Sequence, residues 1–330
     1  MRAGVSQYFE RVWYGEASGF FLLPLSWLYR GLTAVRRFLY HHGVFSGASV
    51  GVPVIVVGNI TAGGTGKTPL VIWLVNCLQG RGLSVAVVSR GYGRADQHDL
   101  RVVSADSDAA LCGDEPVLIA KRTGAPVIVC ANRVAAAKRA VDDGAAIVIC
   151  DDGLQHYRLE RDLELLVVDG QRGFGNGRLL PAGPLREPVS RLKSVDLVIG
   201  NGALPKVGVR AVKYSLQQAP LQKLGSEEEK PLGDLKGQRV LAAAAIGNPQ
   251  RFFDALSQAG LEVEPLWMDD HAAQAGYDFS RAEGRTIIIT EKDAVKLTPD
   301  PALDVWVLPV DVTFSAEDEQ LVLEKLSHLL

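Results

Sequence analysis

Residues 61–68 read Thr61-Ala62-Gly63-Gly64-Thr65-Gly66-Lys67-Thr68, between a short β-branched run (52–57) and a helical pattern (69–79). Backbone N–H groups can close around phosphate oxygens only where glycines allow the close approach and the dihedral angles. The helix that follows points its N-terminal N–H groups and the positive end of its dipole at the same anion. The pattern therefore predicts a P-loop that binds a nucleotide through all eight residues, with Lys67 on the β- and γ-phosphates and the Thr68 hydroxyl on Mg²⁺.

One position departs from the usual P-loop pattern, which begins with glycine where this chain has Thr61. Gly63 and Gly64 stand later in the loop instead, as in the GGxGKT loops of one group of ATPases and kinases. A chance glycine turn is the alternative interpretation. The position of the loop between a strand pattern and a helix pattern favours nucleotide binding.

A P-loop also needs an acidic partner at the end of a nearby strand, where it holds Mg²⁺ directly or through water. The apolar run 145–150 leads into Asp151 and Asp152, and Gln155 and His156 follow within about one turn. Asp151 is the predicted Mg²⁺ partner, although an aspartate that only caps the next turn is the alternative. We expect Asp152, Gln155 and His156 to contact phosphate or substrate in the same cleft.

The identity of the base rests on one further segment, Thr290-Glu291-Lys292-Asp293. It looks like the N/T-K-x-D motif with which the common GTPases select guanine, but its lysine stands one place late. The predicted phosphate loop at 61–68 does not distinguish adenine from guanine, so the choice between them depends on the segment 290–293. We therefore expect ATP.

Near-continuous apolar runs recur along the chain, and helical patterns separate several of them. Strands buried on both faces have this character, and their alternation with helices predicts an α/β fold, a P-loop NTPase-type doubly wound parallel sheet. A polar segment at 217–236 predicts a domain boundary, after which a second, smaller α/β domain begins. We expect an N-terminal helical segment at 1–45, a nucleotide-binding domain at 46–225, and a smaller domain at 226–330 that completes the cleft.

The first 42 residues combine five arginines with an uncharged, aromatic-rich run between Glu16 and Arg30. A spanning helix needs about 20 apolar residues, so this run is too short to cross a bilayer. No small-residue cleavage site of a secretory signal follows it. Two interpretations stay open: an interfacial helix whose arginines reach anionic headgroups, or a helix whose apolar side packs on the protein's own core.

Composition excludes several classes of protein. The 330 residues carry a formal net charge of −3, which gives no sign of the basic domain typical of nucleic-acid binding. The four cysteines, Cys77, Cys112, Cys130 and Cys150, form no CxxC pair. We interpret them as reduced core thiols rather than as metal ligands or a disulfide framework.

A series of short motifs, read in order along the chain, resembles one known family, the tetraacyldisaccharide 4'-kinases, which are the lipid A 4'-kinases of Gram-negative bacteria. Besides the loop at 61–68, the motifs are Pro24-Leu25-Ser26-Trp27-Leu28-Tyr29, Val57-Gly58-Asn59-Ile60, Ser89-Arg90-Gly91-Tyr92-Gly93-Arg94, Gly113-Asp114-Glu115-Pro116, Asn132-Arg133, Asp151-Asp152-Gly153-Leu154-Gln155-His156, Leu179-Leu180-Pro181-Ala182-Gly183-Pro184-Leu185-Arg186-Glu187, Ile246-Gly247-Asn248-Pro249, Asp270-His271 and Thr290-Glu291-Lys292-Asp293-Ala294-Val295. The likeness covers nearly the whole chain.

The resemblance implies a reaction and a place for it. ATP would give its γ-phosphoryl group to the 4'-hydroxyl of an acylated glucosamine disaccharide 1-phosphate, with Mg²⁺ as the cofactor. The work would be done at the cytoplasmic face of the bacterial inner membrane, by a chain associated with the lipid surface and without an obligate protein partner. The same resemblance favours the interfacial interpretation of the N-terminal segment.

The resemblance also implies roles for single residues. Asp114 would be the base on the sugar hydroxyl, paired with His271, and Glu115 would join Thr68 and Asp151 at Mg²⁺. Arg90 and Arg133 would contact phosphates. The sequence around His271 departs from the family pattern, because no aromatic residue or second histidine follows it. Judged by position alone, Asp114 could instead cap a helix that starts with proline in its first turn, and His271 could be a surface histidine.

Two other functions remain as alternatives. One is a soluble P-loop kinase or ligase that acts on a small metabolite, for which the first 40 residues would be dispensable. The other is an ATP-driven switch without an acceptor, which would hydrolyse ATP slowly and couple it to association.

Overall fold

The computed structural model describes residues 2–15, 17–92, 94, 96–204, 208–268 and 277–329. Within them lie helices α1 (Arg2–Tyr14), α2 (Leu23–His41), α3 (Lys67–Gln79), α4 (Ala109–Cys112), α5 (Asp114–Thr123), α6 (Arg133–Asp142), α7 (Pro249–Gln258), α8 (Glu291–Ala294) and α9 (Ala316–Ser327). The strands are β1 (Val54–Gly58), β2 (Val85–Ser89), β3 (Arg101–Val103), β4 (Val127–Val129), β5 (Ile147–Asp151), β6 (Leu163–Asp169), β7 (Leu197–Asn201), β8 (Ala211–Gln218), β9 (Leu221–Lys223), β10 (Glu229–Lys230), β11 (Arg239–Ala244), β12 (Glu262–Trp267), β13 (Ile287–Thr290), β14 (Val305–Leu308) and β15 (Val310–Phe314).

The larger of two sheets, here the large sheet, has the strand order β15-β8-β7-β6-β1-β5-β2-β4-β3. Its inner pairs, from β8 to β4, are parallel, and antiparallel strands close both edges. Strand β1 lies in the middle of the sheet and is buried along its whole length. The predicted doubly wound parallel sheet is therefore confirmed, and the loop at 61–68 follows its central strand.

Helices cover both faces of the large sheet because successive strand residues point to opposite sides. Ile55 packs with Leu70 and Leu74 of α3 on one face. Val56 packs on the other face, in the same apolar cluster as Ala136 and Ala137 of α6. The start of α3 is thereby held against the end of β1, which fixes the turn between them.

The smaller sheet, here the small sheet, has the order β10-β9-β14-β13-β11-β12. Its central strands β12, β11, β13 and β14 are parallel, and β9 and β10 add an antiparallel edge. Phe252, Phe253 and Leu256 of α7 close one face of this sheet. A second α/β unit is present, as the sequence predicts.

The two units do not divide the chain at residue 225. Strand β9 already belongs to the small sheet, whereas β15 and α9 return to the large sheet. Strand β15 pairs antiparallel with β8, and Val312, Val322 and Leu326 enter the core of the large sheet. Without this return β8 would be an edge strand with unpaired backbone groups. Residues 310–329 are thus a correction to the expected smaller domain at 226–330.

Helix α2 is amphipathic in an unusual sense, because polar side chains attach it to the rest of the protein. The Ser26 hydroxyl donates to the Leu179 carbonyl at 2.8 Å and the Tyr29 hydroxyl to the Arg186 carbonyl at 3.1 Å. Its large apolar side chains point outward, with Trp27 67% exposed. The exposed apolar residues in this region are Phe20, Phe21, Leu25, Trp27, Leu28, Leu32, Val35, Phe38, Val44 and Phe45. The apolar face of α2 therefore does not pack on the protein's own core.

Every helix among the described residues is too short or too polar to span a membrane.

Candidate active site

The loop at 61–68 has the backbone shape that its glycines allow. Gly63 and Gly66 have φ of +100° and +89°, which are left-handed conformations. A Cβ on Gly66 would lie 2.2 Å from the side-chain nitrogen of Asn201 and 2.6 Å from the hydroxyl oxygen of Tyr214. Glycine is therefore required at position 66 both for the dihedral angles and for space.

Three side chains hold this loop from outside. The Asn59 amide donates to the Thr61 carbonyl at 2.9 Å, Asn201 donates to the Thr65 carbonyl at 3.1 Å, and the Tyr214 hydroxyl donates to the Gly66 carbonyl at 2.7 Å. These hydrogen bonds fix three carbonyls of the loop, and the Ala62 N–H donates to the Pro184 carbonyl at 2.7 Å. The sequence patterns predict no role for Asn201 or Tyr214, because their strands are far from the loop in sequence.

Lys67 is held in place by two oxygen atoms. Its ammonium nitrogen lies 3.3 Å from a carboxylate oxygen of Asp152 and 3.3 Å from the Asn59 side-chain oxygen. Arg186 donates to both carboxylate oxygens of Asp152, at 3.2 and 3.0 Å. Burial acts to raise the pKa of Asp152, but the charges of Lys67 and Arg186 outweigh it and hold that pKa below the ordinary value. Asp152 is therefore a fixed anion that orients two cations.

Asp151 has the opposite character although it is the preceding residue. It ends β5, is almost fully buried, and receives one long hydrogen bond, from the Ser89 hydroxyl at 3.4 Å. Its other carboxylate oxygen has no hydrogen-bond partner among the described residues. Burial, followed by the nearby negative charge of Glu115, raises the pKa of Asp151 to about 7. Such a carboxylate needs a cation.

Two cavities meet at this point. The loop cavity, of about 270 Å³, lies between residues 64–69 and the small sheet and extends along apolar side chains. Those side chains are Ile72, Leu118, Leu216, Ile246, Phe252, Leu308 and Val310. A phosphate-binding floor with an apolar extension is the shape that a nucleotide requires.

The helix cavity, of about 400 Å³, lies beneath α2. Its wall includes four cationic side chains, which are Arg36, Arg37, Arg90 and Arg186. Asp151, Asp152 and Gln155 line it as well, so it adjoins the cluster around Lys67. Glu115 lines both cavities. The two spaces therefore share one wall, where a group could pass from one to the other.

Asp114 and Glu115 open helix α5, and of the two Glu115 lines the shared wall. Gly113 occupies the N-cap position, and no side chain caps the helix. Asp114 is therefore the first helical residue rather than a cap. Lys296 lies 3.6 Å from its carboxylate, and Lys292 lies 3.3 Å from that of Glu115. Both lysines come from the small unit and follow β13.

The other predicted contacts are placed less uniformly. Arg90 lines the helix cavity, and Gln155 lines it while donating to the Asn59 carbonyl and to Glu187, both at 3.0 Å. Arg133 is buried behind Asp151 and donates to the Cys130 carbonyl at 2.8 Å. Neither Arg133 nor His156 lines either cavity.

His156 is a neutral imidazole at physiological pH. Burial lowers its pKa to about 4, and the charges of Arg133, Arg161 and Arg36 act in the same direction. Because His156 is half-buried and lines neither cavity, the structure does not bring it to the predicted contact with phosphate or substrate. His271, the predicted partner of Asp114, lies outside the described residues.

The predicted Mg²⁺ ligands fit a P-loop site rather than a protein cage. Among the described residues no group of three His, Cys, Asp or Glu side chains could hold a metal ion. Mg²⁺ keeps waters and phosphate oxygens as ligands and takes only one or two carboxylates from the protein. The buried carboxylate oxygen of Asp151 that lacks a hydrogen bond meets this requirement, with Thr68 and Glu115 on the adjoining cavity walls.

Comparison with known proteins agrees with this geometry. Residues 18–328 match the model of the family described as tetraacyldisaccharide-1-P 4'-kinase. A tetraacyldisaccharide 4'-kinase of Methylobacillus flagellatus is 44% identical over 336 residues, covering 100% of this chain and 99% of the relative. One from Xanthomonas campestris pv. campestris is 47% identical over 298 residues, covering 86% of this chain and 84% of the relative.

A solved structure is similar over almost the same length. LpxK from Aquifex aeolicus, determined in complex with ATP, superposes with a TM-score of 0.78 at 29% identity. The match covers 93% of this chain and 98% of that chain.

Proposed function

The chain belongs to the tetraacyldisaccharide-1-P 4'-kinase family, and from this membership we propose how its two cavities perform the reaction. The protein is an ATP-dependent kinase of lipid A biosynthesis, which transfers the γ-phosphoryl group to the 4'-hydroxyl of tetraacyldisaccharide 1-phosphate. The observation that carries the proposal is the wall shared by the two cavities at Glu115. ATP enters the loop cavity and the sugar enters the helix cavity.

Lys67 positions the group that is transferred. Phosphoryl transfer needs alignment and charge neutralisation more than covalent help from the protein. The ammonium group of Lys67 already lies between the two cavities, held by Asp152 and Asn59. A γ-phosphate that reaches it from the loop cavity therefore meets a cation whose position needs little reorganisation.

Thr68, Asp151 and Glu115 are the proposed holders of Mg²⁺. An ion held there would supply positive charge against the negative charge that develops on the transferred group. The protein's own contribution is a buried carboxylate at the end of β5, raised in pKa and without a full set of hydrogen bonds.

Asp114 is the proposed proton acceptor. A sugar hydroxyl that attacks a phosphorus atom must lose its proton, and a carboxylate within hydrogen-bond reach can accept it. Asp114 begins α5 next to Glu115, which lines both cavities, whereas Asp114 itself is buried and lines neither. His271 remains the proposed partner of this carboxylate.

The helix cavity suits a phosphorylated sugar. Arg90 and Arg186 line it beside Asp152 and Gln155, and arginine forks bind phosphate oxygens in pairs. We assign the acceptor's 1-phosphate and hydroxyl groups to these side chains. Arg133 and His156 then support the site from behind Asp151 rather than from the cavity wall.

Helix α2 is the proposed membrane contact. Its apolar side chains are exposed while polar ones face the protein, and such a helix lies in the headgroup region of a bilayer. The helix cavity opens beneath it, so the sugar of a lipid could enter while its acyl chains stay in the membrane. We therefore assign the enzyme to the cytoplasmic face of the inner membrane, where ATP is available.

A direct assay tests the reaction. The purified chain is mixed with ATP, Mg²⁺ and tetraacyldisaccharide 1-phosphate in detergent micelles, and the product should be heavier by one phosphate. Lys67→Ala should be slower by about 10³-fold or more, because the charge on the transferred group loses its main cation. The exposed Lys121→Ala should match the wild type. Absence of the acceptor-dependent product in every detergent would overturn the proposal.

A further inference from the structure

Lys296 is a buried cation in the small unit, with a side chain that is only 5% exposed. Its ammonium nitrogen lies 3.0 Å from a carboxylate oxygen of Asp293 and 3.6 Å from one of Asp114. The first carboxylate belongs to the small unit and the second to α5, which packs on the large sheet. A buried charge is costly unless its partners are well placed. Lys296 is therefore a built feature that joins the two units.

Asp293 holds Lys296 in this position. It is fully buried, and one of its oxygens accepts hydrogen bonds from the Ala245 N–H at 3.1 Å and from the Thr290 hydroxyl at 2.6 Å. The other oxygen accepts from the Tyr277 hydroxyl and faces Lys296. These contacts use the carboxylate fully inside the small unit, so Asp293 does not act as the base-reading aspartate of a GTPase.

The aromatic ring of Tyr277 completes the pocket around Lys296. The ammonium nitrogen lies 5.3 Å from the ring centroid, within the range of a cation–π contact. Together the ring and Asp293 leave the lysine little freedom to turn away. The end of its side chain is thus directed at α5 by the small unit alone.

We propose that Lys296 is a positioning residue for the kinase reaction: it orients the Asp114 carboxylate toward the acceptor and makes that orientation depend on the seating of the small unit. The proposal rests on the proposed role of Asp114 as the proton acceptor. At 3.6 Å the pair is an ion pair rather than a short hydrogen bond. Lys296 therefore acts on the carboxylate through its charge rather than through a short hydrogen bond.

This arrangement connects nucleotide binding with the base. The loop cavity is lined by both units, including Gly247 and Lys292 of the small unit. A nucleotide in that cavity would hold α8 against α5, and Lys296 would then hold Asp114. A small misplacement of a reacting group is enough to lower a rate about 100-fold, so a link of this kind affects turnover rather than ATP affinity.

The first test compares Lys296→Met with the control Lys121→Met, which changes an exposed lysine on α5. The Met side chain keeps the length and removes the charge. In the acceptor assay we expect kcat to fall by roughly 10- to 100-fold for Lys296→Met, with KM for ATP within about twofold of the wild type. The control should change neither constant. An unchanged kcat for Lys296→Met, or an equal loss in both variants, would overturn the proposal.

A double-mutant cycle separates positioning from a structural role. If Lys296 acts through Asp114, then Lys296→Met should cost almost nothing in an Asp114→Asn background, because the group that it orients is already lost. A purely structural lysine would lower the rate by the same factor in both backgrounds. Additive losses therefore contradict the proposal, and non-additive losses support it.

Stability and function are checked separately. If Lys296→Met does not fold, Lys296→Arg decides, because it keeps the charge but moves it. We then expect kcat to drop severalfold with ATP binding unchanged, and an unaltered kcat would refute the role. Failure of the wild-type protein to phosphorylate the acceptor would instead refute the proposed function, since the effect of Lys296 is read only against an active wild type.

Discussion

Asp152 forms ion pairs with both Lys67 and Arg186. Its φ is +51°, which is uncommon outside glycine. That backbone turn lets its carboxylate contact both Lys67 and Arg186. If Lys67 binds a γ-phosphate as proposed, Asp152 keeps Arg186 as its partner.

Asp151 and Asp152 are adjacent but have opposite pKa shifts. Asp152 has two cations, Lys67 and Arg186, within hydrogen-bonding distance. Asp151 is buried near Glu115, and among the described side chains it accepts a hydrogen bond only from the Ser89 hydroxyl. Pairs of acids that are driven apart in pKa mark distinct tasks in one site. Here Asp152 pairs with cations of the protein, and Asp151 is the proposed ligand of Mg²⁺.

The pKa of Asp151 predicts how Mg²⁺ binding varies with pH. Because this pKa is raised to about 7, the carboxylate is protonated below that pH in the free protein and ionised above it. A metal ion binds the ionised form. The Mg²⁺ concentration for half-maximal rate at saturating ATP should therefore be constant above about pH 8 and rise by up to about tenfold per unit below pH 7.

Asp151→Asn is the control for that titration. ATP itself titrates in the assays of both proteins, but the variant lacks the carboxyl group at position 151. Its rate is expected to be much lower, with a Mg²⁺ requirement that varies with pH only as ATP does. If the wild type and Asp151→Asn show the same pH dependence between pH 6 and 8, Asp151 is not the titrating ligand.

At the scale of elements, the loop at 61–68 depends on strands that follow it by more than a hundred residues. Gly66→Ala brings a Cβ against Asn201 and Tyr214, and Gly82→Ala has the same kind of positive φ but nothing within 4 Å. Both variants bear the left-handed backbone cost of about 1–2 kcal/mol. Of the two variants, we expect only Gly66→Ala to bind ATP more weakly, with a Kd raised by at least about tenfold when measured by calorimetry. Equal ATP affinity in the two variants would show that the collision is unimportant.

Helix α2 carries a prediction of its own, on the proposed membrane contact. Leu28→Asp with Leu32→Asp removes two exposed apolar side chains from its outer face, each worth about 1.5 kcal/mol on burial. Binding to phosphatidylglycerol-containing vesicles, followed by sedimentation, should weaken by about 100-fold while the melting temperature stays unchanged. Leu111→Asp alters another exposed leucine, which lies on α4, and this variant should bind normally. Undiminished vesicle binding of the double variant would assign the contact elsewhere.

At the scale of the molecule, the loop cavity is lined by two units that the chain connects twice. The chain leaves the large sheet after β8, forms the small sheet, and returns as β15 and α9. Two chain connections restrain the small unit more than a single linker would. The units also touch at the loop itself, where Gly247 packs on Gly64.

Gly247→Ala tests whether that contact matters for nucleotide binding. A Cβ at position 247 would lie 2.5 Å from the Gly64 nitrogen, so the small unit must move away from the loop. We expect KM for ATP to rise about tenfold, because the cavity opens at its phosphate end, with little change in thermal stability. Gly233→Ala in the same unit meets no neighbour within 4 Å and should behave as wild type. An unchanged KM would mean that the seating of the small unit does not control ATP binding.

Local patterns were sufficient to predict the doubly wound sheet and the loop at 61–68. Buried parallel strands are recognisable by uninterrupted apolar runs, and a phosphate loop needs glycines at positions set by backbone geometry alone. The family was recognisable for the same reason, since its motifs are short contiguous segments. Each of these features is determined by residues that are neighbours in the chain.

Contacts between distant segments depended on the tertiary structure. Asn201 and Tyr214 reach the loop, Lys296 reaches Asp114, and residues 310–329 return to the large sheet, because strand order and the packing of two units bring them there. The outward direction of the apolar face of α2 is of the same kind, since amphipathicity shows that a helix has two faces but not which of them meets the protein. The number of residues between two such segments does not determine the distance between them in space, which depends on the fold.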